Sequence, residues 1–122
     1  MSKLKSAYFQ QGKVRYHIPS CNFEMNKRVD RTPKWEIFLE TSDVWGLYKA
    51  TKKDRSFVFH IEFTEREKDI DILETIHGNV QIIDIAVNNN GVFPISYIIR
   101  FLAQQLSFSN EITSTREKVQ FD

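Results

Sequence analysis

Thr64-Glu65-Arg66-Glu67-Lys68-Asp69-Ile70-Asp71-Ile72-Leu73-Glu74-Thr75-Ile76-His77-Gly78 is the stretch on which the reading of this chain turns. Thr64 with Glu67 three residues later matches a capping box, in which two side chains satisfy N–H groups that a helix start leaves orphaned. Glu65 and Glu67 suit the positive end of a helix dipole, and Gly78 can adopt the left-handed conformation that closes a helix. Ile70, Leu73 and His77 then share one stripe, with Ile72 and Ile76 beside it. The spacing predicts a helix over 64–77.

A second helix is expected over 94–108, with Pro94 in its first turn. Ile95, Ile98, Ile99, Leu102 and Leu106 form one helical stripe, the expected buried face. Tyr97, Phe101 and Phe108 lie about 130° away from it. Together they span an apolar arc of about 200°, wider than one flat sheet covers at about 100° per residue. Tyr97, Phe101 and Phe108 are therefore the expected partner-binding residues, to be covered by the first helix or by another chain.

Outward from these segments the pattern is that of strands. Residues 4–9 and 13–18 read as a hairpin turned at Gln10-Gln11-Gly12, with Val14, Tyr16 and Ile18 alternating against Lys13, Arg15 and His17. Residues 21–25 form a weaker strand, and 26–34 a basic loop. Residues 35–40, 44–50 and 55–63 read as a meander, in which Phe57, Phe59, Ile61 and Phe63 share a face. Residues 80–87 are apolar on both faces except at Gln81 and Asp84, as in a central strand. The order β-β-(β)-β-β-β-α-β-α points to an α+β fold, a mostly antiparallel sheet of five to six strands packed on one face by two helices. Residues 56–87 would add one parallel pair through a right-handed crossover. The 122 residues suit a single domain over 1–122, with 109–122 as a polar C-terminal tail.

Composition excludes several chemistries. Cys21 is the only cysteine, which rules out an internal disulfide and the usual Cys-rich zinc sets. The four glycines, Gly12, Gly46, Gly78 and Gly91, are too dispersed for a phosphate-cradling loop, and no G-x-S-x-G occurs. His17, His60 and His77 match no metal motif and could act together only if the fold gathered them. The expectation is no metal and no cofactor. Apolar runs fall short of the roughly 18 residues of a membrane span. The opening residues are too polar for a signal peptide, so a cytoplasmic setting and no membrane partner are expected. Thirteen Ile and ten Phe against four Ala and four Gly hint at an AT-rich genome, such as that of a phage or mobile element.

The net charge of +1 conceals a bipolar chain. Residues 1–34 carry eight basic and two acidic side chains, a formal +6, leaving nine basic and fourteen acidic residues, or −5, for the remainder. Lys13, Arg15, Lys27, Arg28, Arg31 and Lys34 make the expected basic patch. Tyr8, Tyr16, Phe23 and Trp35 are interleaved and able to stack on bases.

Catalytic signals are weaker. His60 and Glu62 share a strand face, and Asp84 would complete an acid/base set if its strand were adjacent. Cys21 with His17 spans too far for a nucleophile–base pair on one extended strand. Asp69, Asp71 and Glu74 read as a solvated acidic face. Arg55-Ser56-Phe57-Val58-Phe59 faintly echoes an RNA-binding strand, but its aromatics suit a core. The expected function is a non-catalytic intracellular interaction module (an assembly subunit, adaptor or inhibitor) that binds another protein or its own copy. The alternatives are a nucleic-acid binder using the basic third, and a small enzyme around His60, Glu62 and Asp84.

Overall fold

Period-two alternation governs nearly the whole chain. The computed structural model describes residues 2–88 and 95–115, which form eight antiparallel strands and one short helix. These are β1 (Ser2–Gln11), β2 (Val14–His17), β3 (Asn22–Lys27), β4 (Trp35–Thr41), α1 (Trp45–Thr51), β5 (Ser56–Glu67), β6 (Ile70–Asn88), β7 (Ser96–Ala103) and β8 (Ser107–Thr115). They make one sheet in the order β2-β1-β5-β6-β7-β4-β3, and β8 also pairs with β6. The expected α+β arrangement, with two helices packed on a sheet, is therefore replaced by a mostly β fold.

The segment 64–77 is no helix but the outer part of a hairpin. β5 runs through Glu67, Lys68-Asp69 turns the chain, and β6 returns with Glu67 opposite Ile70 and Thr64 opposite Leu73. Lys68 takes φ 54 in this turn, which a non-glycine residue adopts at some steric cost. The capping-box pattern is local and names no partner. The β-branched residues Ile70, Ile72, Thr75 and Ile76 gain more as strand residues, beside neighbours on both sides, than as a stripe on an isolated helix. A parallel crossover is absent for the same reason, since β5 and β6 pair directly and antiparallel.

The segment expected as the second helix holds β7, a bend, and the start of β8. Ile99, Phe101 and Ala103 are buried while Ile98, Arg100 and Leu102 between them are half-exposed, a strand pattern with no helical stripe. Pro94, the expected helix start, lies outside the described residues. Part of the expected polar tail, Ser109 to Thr115, is the body of β8. The one helix falls where a strand was expected. Val44, Leu47 and Ala50, three residues apart, reach the core together only on a helix.

Both β7 and β8 lie on the same side of β6, one after the other. β7 pairs with 81–88 and β8 with 70–77. Residues 104–106 cross between them over Gly78, where a Cβ would lie 2.8 Å from the Gln105 carbonyl oxygen and 3.3 Å from the Leu106 Cα. Gly78 is thus needed for close approach of two backbones, not to close a helix.

The inner face of the sheet is the core. Phe9, Phe59 and Phe101 come from three strands, are fully buried, and hold ring centroids 4.8 to 5.1 Å apart in tilted and edge-on contacts. Ile37, Leu39, Ile61, Ile82 and Ile99 surround them, and Leu47 of α1 joins the same cluster. The sheet curls far enough for Phe23 on β3 to meet Phe63 on β5, with ring centroids 5.4 Å apart. Among the described residues no helix is long and apolar enough to cross a membrane.

Candidate functional site

Alternation that buries Phe9 and Phe59 turns their neighbours to the outer face, and the registers align those neighbours in one row. Tyr8 on β1 lies opposite His17 on β2 and opposite His60 on β5, and His60 lies opposite His77 on β6. The fold thus gathers the three histidines that are widely spaced in sequence. Tyr8 stacks on His60 with ring centroids 4.9 Å apart, His17 sits 5.8 Å away on its other side, and the Arg15 guanidinium lies 4.4 Å from the Tyr8 ring centre.

His60 is the centre of the row. Its Nε2 is 2.7 Å from Glu62 Oε1, and its Nδ1 is 3.0 Å from His77 Nδ1. An ionised carboxylate only accepts, so Nε2 of His60 carries a proton. With His60 neutral, its Nδ1 then accepts from the Nδ1–H of His77. Burial and the adjacent His60 hold the pKa of His77 below its ordinary value, which favours the neutral ring.

Asp84, the third expected member, does not join. It lies on the other half of β6, past a bulge, with Arg100 as its cross-strand partner. Arg100 in turn binds Glu36, with Nη2 2.8 Å from Oε2. His77 takes the place foreseen for Asp84. The signal for it was the shared parity of His60 and His77 about the Lys68-Asp69 turn, legible only once those residues are read as strands. Burial pushes the Cys21 thiol up to about 11, so it is protonated at neutral pH and a poor nucleophile. No group of three or more His, Cys, Asp or Glu among the described residues is arranged to hold a metal ion.

The basic patch divides. Arg15 lies over the Tyr8 ring of the outer row and Lys13 sits in the turn of the β1–β2 hairpin, whereas Lys27 ends β3 and Arg28, Arg31 and Lys34 occupy the β3–β4 connection. That loop is clasped by the Arg28 N–H donating to the Lys34 carbonyl at 2.6 Å. It lines a cavity with Gln104, and next to it a groove of about 580 Å³ is lined by Lys34, Trp35, His77, Gln104 and Phe108. Trp35 and Phe108 meet there with ring centroids 5.4 Å apart, and Phe108 is 51% exposed.

The three residues expected as one aromatic stripe are dispersed. Phe108 belongs to this groove. Tyr97 lines a separate cleft of about 360 Å³ with Trp45, Tyr48 and Val87. Phe101 is 0% exposed at the centre of the core and belongs to no surface. Lys49 and Lys52 lie over the Trp45 and Tyr48 rings, 5.4 and 4.9 Å from their centres. Sequence reading missed Trp45 and Tyr48, because a strand over 44–50 gives no reason for two exposed aromatics three residues apart.

No family model matches this chain, and comparison with curated proteins and with solved structures finds no match either. Chemically, the outer row offers a proton-sharing imidazole pair with a carboxylate, and the groove offers aromatic surface beside four cations.

Proposed function

We propose that this protein is a non-catalytic interaction module that grips an acidic segment of another protein, or of a second copy of itself, where the β3–β4 loop meets the start of β8. The observation that carries the reading is the convergence of Trp35, Phe108 and Lys34 on one groove beside Lys27, Arg28 and Arg31. Exposed aromatics beside arginines are the usual chemistry of an interface anchor, since rings fill a pocket and guanidinium groups pair carboxylates. A lone, half-buried Cys21 with a raised pKa suits an intracellular setting.

A second reading, single-stranded nucleic acid at the same groove, is favoured by the same ring pair, on which bases could stack. A photo-crosslinking residue in place of Phe108, introduced into full-length protein in native extract, separates the two. The expected product is one discrete protein adduct that is lost when Arg28 and Arg31 are both changed to Glu, with greater loss in low salt than in high. A nuclease-sensitive adduct with a steep salt slope would favour the second reading. The absence of any adduct dependent on Arg28 and Arg31 would overturn both.

A further inference from the structure

We propose that the outer face carries a two-histidine chelate for a divalent transition metal, with His60 and His77 as ligands through Nδ1 and Glu62 as the carboxylate that orients His60. This chelate goes beyond the interaction reading and does not depend on it.

Two observations converge. First, the two Nδ1 atoms lie 3.0 Å apart on paired strands. With metal–nitrogen bonds of about 2.0–2.1 Å, that separation subtends about 95° at a shared metal, near the right angle of square-planar and octahedral sites and below the tetrahedral angle. Second, Glu62 holds the far nitrogen of His60. A ligating histidine usually donates its other N–H to a carboxylate, which fixes the tautomer and aims the lone pair at the metal. Glu62 does this before any metal arrives, and Tyr8 stacked on His60 fixes the ring plane.

The chemistry balances simply. In the metal-free pair one proton sits between the two Nδ1 atoms. The metal displaces it, sitting to one side of the line between the two nitrogens so that both bonds reach about 2.0–2.1 Å; His77 carries its proton on Nε2 instead, and no net proton need be released. No third side chain completes the site among the described residues, so water fills the remaining positions. Imidazole ligands near a right angle favour Cu(II), followed by Ni(II), over Zn(II), in keeping with the general affinity order.

The test uses untagged full-length protein and Cu(II) alone. Calorimetry should give one equivalent bound, and electron paramagnetic resonance should show two equatorial nitrogens. His60→Ala and His77→Ala should each remove that signal while the melting transition stays cooperative. Glu62→Gln should weaken binding by roughly tenfold or more, as loss of an orienting carboxylate does. His17→Ala and Cys21→Ser should bind as the parent does. In the parent protein, the paramagnetic ion should broaden amide resonances centred on His60 and His77, a readout that needs no variant. Binding that survives in both His60→Ala and His77→Ala, or that is lost with Cys21→Ser, would overturn the proposal, as would broadening centred elsewhere or no binding at all.

Discussion

The two faces of the same strands differ by one residue in sequence and by everything in chemistry. On β1, β5 and β7 the inner positions are Phe9, Phe59 and Phe101, locked in mutual ring contact. One step along, the outer positions are Tyr8, His60 and Arg100, which make hydrogen bonds and ring contacts with polar neighbours. The alternation does two jobs at once. It builds a core from apolar residues of every strand, and it lines up the intervening polar residues into rows whose members no local motif connects.

Breaking the inner face should have the largest effect. Phe101→Ala should cost roughly 3–5 kcal/mol in denaturant unfolding, as buried Phe truncations do. Phe101→Glu should prevent folding altogether, because an unpaired carboxylate would be placed against the buried Phe9 and Phe59 rings. A folded Phe101→Glu protein would contradict the core placement. The junction at Gly78 comes next. Gly78→Ala forces the Gln105 carbonyl away and should cost roughly 1–3 kcal/mol, the usual range for overpacking. Hydrogen exchange should show the loss concentrated where β8 leaves β7.

Smaller effects belong to the polar positions. Arg100→Ala removes the pair with Glu36, whose side chains are 39% and 22% exposed, and should cost no more than about 1 kcal/mol. The change should shrink further in high salt. Two carboxylates should show opposite pH signs. Glu74 shares the inner parity of Ile76, and burial followed by repulsion from Glu65 and Glu67 raises its pKa. The folded state then binds more protons than the unfolded one, so its contribution is present below the ordinary value of 4.5 and is lost as pH rises through the folded value. Glu40 faces outward, and bonds from Asn88 and Ser96 lower its pKa. Its contribution is present above 4.5 and is lost as pH falls through the folded value. Thermal melts across the acid range should flatten in opposite directions for Glu74→Gln and Glu40→Gln. Equal slopes in both would erase the contrast between faces.

Much of the strand framework was legible in the chain. The β1–β2 hairpin, β3, β4 and the inward row Phe57, Phe59, Ile61 and Phe63 follow from alternation alone, and all four of those side chains are buried. His60 and Glu62 were legible as neighbours on one face, and they do bond. The basic loop was legible as a run of charge between two strands. Its aromatic companion Phe108 was not, because residues 107–115 read locally as the end of a helix and a polar tail.

What the sequence by itself determined is which residues prefer the inside and which the outside, since burial preference and two-residue periodicity are properties of the chain. What only the tertiary structure decided is the pairing. Over 64–77 and 95–108, Ile and Leu fall at spacings that satisfy a helical stripe as well as a strand. A helix would have closed its hydrogen bonds within itself. The strand closes them with β5, β7 and β8, far along the chain. That choice depends on partners of high sequence separation, which no local pattern names, and it is the same choice that set His60 against His77 and Trp35 against Phe108.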